Sequence, residues 1–213
     1  MSWVVRTLSS SVGKKQLMAV SGLLFLLFLA VHLIGNLTIY GGVAAFNAYV
    51  EHLHALGPLL MVSEVVMLLA LLVHIITGAI LFLENRRARP VAYAVDKSGG
   101  GRTFSSQTMP YTGLLILVFV VIHLTGASRF FVARTDTFSL MSAIFAHKAL
   151  AAFYMFSMVV VAFHVRHGLW SAFQTVGANH PKYMPFIEKL SLAFALLVGV
   201  GFGSLPLIIS LMG

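Results

Sequence analysis

Hydrophobic and polar positions divide the chain into five long apolar runs, at about 17–40, 59–83, 110–130, 147–173 and 188–212. Each reaches the roughly 20 residues that a helix needs to cross about 30 Å of hydrocarbon. The pattern therefore predicts an all-α integral membrane protein, one domain over 1–213, with five transmembrane helices. The first run is long and partly polar, with no small-residue cleavage site behind a short apolar core, so it is expected to stay in the mature chain. Connections are short except 84–109, where "KSGGGR" marks a flexible loop. Residues 41–57, "GGVAAFNAYVEHLHALG", carry no lysine or arginine and are expected to be partly helical at the membrane edge.

Composition sharpens this picture. Only 9% of residues are charged, against about 25% in soluble domains, so a water-soluble fold is excluded. With no cysteine, disulfides, thiolate zinc sites and cysteine-ligated iron–sulfur clusters fall away. The formal charge of +8 is explained by topology and calls for no nucleic acid. Eleven basic residues, among them Arg6, Lys14, Lys15, Arg86, Arg87, Arg89, Arg166 and Lys182, fall on one side of the five runs, and Arg129, Arg134 and Lys148 on the other. The positive-inside rule then predicts a cytoplasmic N-terminus and an outer C-terminus, and the membrane is expected to be a bacterial or archaeal-type cytoplasmic one. The chain has no room for a soluble catalytic domain, so chemistry on a soluble substrate would need a partner.

Four of the nine histidines lie deep in apolar runs: His32 in "LAVHLIGN", His74 in "LLVHIITG", His123 in "FVVIHLTG" and His164 in "VVAFHVRHG". Ionisable groups are costly in lipid and mark function by default. Counting residues to each run's end at 1.5 Å per residue places His32 and His123 in the outer half and His74 and His164 in the inner half. Local sequence repeats the pairing: the outer two share His-Leu-x-Gly and the inner two His-x-x-x-Gly. A glycine one turn away would clear space for a flat ligand, although glycine also serves helix packing.

Two histidines facing each other at one depth suit both axial positions of a haem iron, an arrangement for electron transfer without substrate binding at the metal. The first four helices are thus expected to bundle around two haems b, with His32 and His123 on the outer iron and His74 and His164 on the inner. A zinc or non-haem iron cluster would need ligands gathered at one depth. Packing histidines, or a proton relay in a small transporter, are the non-haem alternatives. His167 is 300° around the helix from His164 and is assigned to a haem propionate or the headgroup edge.

The stretches "KKQLMAVSGLLFLLFLAVHLIGNL", "AFNAYVEHL" and "AFHVRHGLWSAFQTVG" resemble the cytochrome b subunit of the succinate dehydrogenase and fumarate reductase family, in its five-helix, two-haem form. The resemblance spans essentially the whole chain. It implies a membrane anchor passing electrons between a quinone pool and an iron–sulfur subunit docked with a flavoprotein subunit on the cytoplasmic face. The dicarboxylate site would lie elsewhere in a complex that is itself a possible dimer. It also implies the same histidine pairs, a low-potential quinone such as menaquinone, and an acidic residue near the outer haem to take quinol protons. Glu51 and Glu64 are the acidic candidates, with Asn47 and His54 as further polar ones. Another b-type dehydrogenase or hydrogenase subunit is the nearest alternative.

One departure from relatives is Ala162, where some carry a glutamate two residues before the fourth-helix histidine. Candidate propionate donors are Gln16, Lys15, Ser21, Gln107 and His167 on the inner side, and Arg129, His147 and Lys148 on the outer. Gly199-x-x-x-Gly203 in the fifth run is expected to pack within the subunit.

Overall fold

The computed structural model describes residues 2–88, 103–127 and 137–212. Among these residues there are helices and turns but no strand. In chain order they are α1 (Trp3–Ser9), α2 (Ser11–Leu37) with a 3-10 turn at Thr38–Gly41, α3 (Val43–Ala55), α4 (Pro58–Arg87), α5 (Phe104–Ala127), α6 (Thr137–Ala146), α7 (Lys148–Thr175) and α8 (Met184–Met212). Helices α2, α4, α5, α7 and α8 are long and apolar enough to cross a membrane. They start or end several residues beyond the apolar runs. Polar residues can continue a helix past the hydrocarbon boundary, whereas hydropathy marks only its oily core. The segment 41–57 does form a helix, α3, while α1 and α6 are additions that the hydropathy pattern did not reveal. The "KSGGGR" loop lies outside the described residues.

Local chemistry sets the boundaries. Ser10 caps α2, its hydroxyl accepting from the Gly13 amide at 3.0 Å, which satisfies one of the free N–H groups at a helix start. Gly57, with φ +53°, turns the chain into α4, whose first residue is Pro58, a position where the missing N–H costs nothing. At the end of α7, Gly177 (φ +94°) donates to the Gln174 carbonyl and Ala178 to that of Phe173, the paired bonds of a Schellman stop.

Packing contacts place the helices in the cyclic order α2, α4, α5, α7: α2 packs on α4, α5 on α7 and α7 on α2, with a slighter contact between α4 and α5. The diagonal pairs, α2 with α5 and α4 with α7, have no comparable close packing, so the centre of the bundle is bridged by side chains. Lys14 and Glu84, at the adjoining ends of the antiparallel α2 and α4, form the only ion pair among the described residues.

Helix α8 lies outside this ring, against α7 and α2. A Cβ added at Gly199 would stand 3.0 Å from the Cβ of Ala162, and one at Gly203 would stand 3.8 Å from that of Met158. Gly199-x-x-x-Gly203 therefore packs within the subunit, against α7. The same contact explains Ala162, because a longer side chain there would run into the backbone of α8.

Candidate functional site

The histidines meet across the two diagonals. His32 of α2 and His123 of α5 have ring centroids 6.2 Å apart at an interplanar angle of 76°. Those of His74 on α4 and His164 on α7 are 6.4 Å apart at 65°. No hydrogen bond joins the rings within either pair among the described residues. Two imidazoles sharing one metal at about 2.0 Å, each nitrogen about 1.1 Å from its ring centre, would have centroids about 6.2 Å apart. A direct in-line hydrogen bond would bring them about 1 Å closer. The observed separations match the first arrangement and exceed the second, as do those of His74 from Phe25 and His123 from Tyr154, both 6.0 Å.

Each inner ring is held from behind. His74 Nδ1 lies 3.1 Å from the Met18 carbonyl and 3.1 Å from the Ser21 hydroxyl. His164 Nδ1 lies 3.1 Å from the Thr112 hydroxyl. Ser21 and Thr112 give their own protons to backbone carbonyls of the preceding turn. The Met18 carbonyl can only accept, so His74 Nδ1 carries the hydrogen and its Nε2 keeps a lone pair, while the Thr112 hydroxyl fixes the rotation of the His164 ring. Ser21, a propionate candidate in the sequence, stands here against the His74 ring.

Next to each hydroxyl residue stands a glycine at the ring's edge. A Cβ at Gly22 would be 3.3 Å from His74 Cε1, and one at Gly113 would be 3.5 Å from His164 Cε1. These contacts belong to a repeat missed in the reading of single motifs. "SGLLFLLFLAVHLIG" from Ser21 and "TGLLILVFVVIHLTG" from Thr112 align without a gap. Within it, Phe28 stacks on His32 at 5.1 Å and Phe119 on His123 at 5.5 Å. In both copies the hydroxyl residue precedes the outer histidine by 11 positions (32 − 21 and 123 − 112), so the two levels are about 16 Å apart along the helices. Aligning α2 with α5 without gaps would have exposed this signal.

The outer pair is walled by rings. Phe202 lies 5.4 Å from His32, and Tyr154 6.0 Å from His123. The buried Nδ1 of His123 has no partner among the described residues, and that of His32 is 3.5 Å from the Asn36 amide nitrogen, too far to set its tautomer. Polar contacts thus orient the inner rings, whereas stacking dominates at the outer ones.

The glycines that follow the four histidines divide. A Cβ at Gly126 or Gly168 would meet nothing within 4 Å, and one at Gly78 only the Met18 sulfur at 3.8 Å. At Gly35 the space a Cβ would take is filled by the ring and hydroxyl of Tyr49 from α3. Gly35 therefore serves helix packing and clears nothing for a flat ligand.

The remaining candidates scatter. Glu64 is half-buried on α4, ten residues before His74, and a rise of about 15 Å puts it at the level of the outer pair. Glu51 is exposed on α3, beside half-buried Asn47 and His54. Gln16 is exposed on α2 and makes no hydrogen bond with a described residue. Arg129 lies outside the described residues. His167 does not join the inner pair but lines a cavity with Trp170 and residues of α5 and α8.

Among the described residues no three histidine, aspartate or glutamate side chains gather as a metal cluster. No protein-family model, curated protein or solved structure matches the chain.

The rear hydrogen bonds carry a prediction. Ser21→Ala and Thr112→Val should each weaken metal-centre binding at the inner level by about 10- to 100-fold, the usual effect of removing a ligand's outer partner. Haem titration into the stripped protein measures it. Equal weakening at the outer level would contradict the assignment of these hydroxyls to the inner rings.

Proposed function

We propose that this chain is a dihaem cytochrome b anchor, carrying electrons between a membrane quinone and the iron–sulfur subunit of a succinate dehydrogenase or fumarate reductase complex. The observation that carries the reading is the spacing of two histidine pairs, 6.2 and 6.4 Å between centroids, across the unpacked diagonals of one bundle. His74 and His164 would hold the inner haem, and His32 and His123 the outer. When bound, each haem supplies a one-electron iron couple with both axial positions filled.

The chain's own part is to orient and insulate. Ser21 and Thr112 fix the rotation of the inner imidazoles, and Phe28, Phe119, Phe202 and Tyr154 keep water from the outer ones. At the outer level the half-buried Glu64 is the better-placed carboxylate to accept quinol protons; Glu51, exposed on α3, is less suited to that role. The level of Glu64 and the direction of the charge bias support a reading in which quinol, such as menaquinol, would react on the outer side. The cytoplasmic basic residues, including Arg86 and Arg87 at the end of α4, would face the iron–sulfur and flavoprotein partners or anionic lipid. With Ala162 packed on α8, a carboxylate route through that position is absent, and turnover is expected to move charge across the membrane.

Reduced-minus-oxidised spectra and a haem assay on the purified protein test the reading. Two b-type haems per chain are expected, with an iron–sulfur protein and a flavoprotein co-purifying from the native membrane. A preparation that never binds haem would return the histidines to packing or proton relay. Haem with different partners would instead assign the chain to another b-type dehydrogenase.

A further inference from the structure

A second site lies outside the histidine bundle, at the end where α7 finishes and α5 and α8 begin. Helix α7 packs against both α5 and α8, while α5 and α8 make no comparable contact with each other, so a cleft opens between them over α7. It holds a cavity of about 290 Å³ whose lining includes Ser105 of α5, Arg166, His167 and Trp170 of α7, and Glu188 and Ser191 of α8.

Three features define what would fill it. Arg166 and Glu188 line the same space yet form no ion pair with each other, so the cavity presents both signs of charge. Among the described residues the indole Nε1 of Trp170 and the Nδ1 of His167 are buried without a hydrogen-bond partner, and an indole N–H can only donate. A buried donor left unmade costs about 1–3 kcal/mol, so an acceptor in the native membrane would be retained. Ser191 cannot supply one of the missing partners by donating, because its hydroxyl proton already goes to the Ile187 carbonyl.

The depth is that of a headgroup. Glu188 lies in the second turn of α8, Ser105 is the second residue of α5, and Arg166 and Trp170 belong to the last third of α7. Phe104 and Phe186, 68% and 67% exposed, stand near these helix ends and offer apolar surface for acyl chains.

We infer that this cleft binds a phospholipid whose headgroup carries both a phosphate and a primary ammonium, that is, a phosphatidylethanolamine. The phosphate accepts from Arg166, Trp170 and His167, and the ammonium donates to Glu188. A haem propionate or an anionic lipid would satisfy the donors but would leave Glu188 facing a like charge. A neutral quinone would use neither charge fully. The assignment does not require haem and stands or falls separately from the cytochrome reading.

The test is native mass spectrometry of the purified, delipidated protein, exposed in turn to phosphatidylethanolamine and phosphatidylglycerol with the same acyl chains. Wild type should retain phosphatidylethanolamine about tenfold better, the worth of one charge-assisted hydrogen bond. Glu188→Gln should erase that preference, and Trp170→Phe should weaken retention about fivefold. Arg166→Gln, also at an exposed position, should weaken retention of both lipids and keeps the test open if Trp170→Phe fails to fold. Equal retention of the two lipids by wild type, or an unchanged preference in Glu188→Gln, would overturn the assignment. So would loss of haem from Trp170→Phe with lipid retention intact, which would give the cavity to the haem edge.

Discussion

His74→Ala and His164→Ala are each expected to leave the purified protein one b-type haem short, with the outer haem retained. His32→Ala and His123→Ala should do the reverse. The effect would be all-or-none because each haem would take one ligand from each of two diagonal helices that do not otherwise pack closely, and the single remaining histidine would not hold it alone. The levels are separated by about 16 Å of helix, too far for a histidine of one pair to replace a lost ligand in the other. Spectral resolution of the two haems, with haem counted per chain, makes the measurement. Equal loss of both haems from every single variant would remove the assignment of separate pairs.

Gly22→Val and Gly113→Val should weaken haem binding at the inner level without touching a ligand. A Cβ at these positions already comes within 3.3 and 3.5 Å of the His74 and His164 rings. Alanine fits at ordinary or slightly tight contact. Valine adds two methyl groups with one favoured rotamer in a helix, and the ring must turn away. Overpacking of this kind costs about 1–3 kcal/mol, equivalent to roughly a 5- to 150-fold loss of inner-haem affinity. Comparing the Gly→Ala and Gly→Val proteins by haem titration separates crowding of the ring from a general loss of stability. If valine depleted the outer haem and spared the inner, the contacts drawn from Gly22 and Gly113 would be wrong.

Much of this architecture was legible in one dimension. Five spans follow from hydropathy because about 20 apolar residues have few other uses. The depth of each intramembrane histidine follows from the fixed rise of a helix. The outer and inner pairs follow from those depths together with the shared glycine spacings. Even the unread signal, the alignment of "SGLL" with "TGLL" and of "HLIG" with "HLTG", was present in the letters.

What the letters alone could not settle was which face of each helix points where. In a soluble protein a polar stripe announces the outward face, but lipid is as apolar as the bundle interior. Leu68, Leu69 and Val73, on the helix of His74, are exposed with no compositional mark to distinguish them from core residues. Only tertiary structure could set Ser21 against the His74 ring, fill the notch at Gly35 with Tyr49, press Ala162 against Gly199 and turn His167 into a separate cleft with Trp170. Sequence alone determined a five-span helical membrane protein with histidines at two depths, because length, oiliness and rise are properties of single helices. The rotation of each helix, and hence the partners of every polar side chain, arises from contacts between helices and was decided by the packed structure.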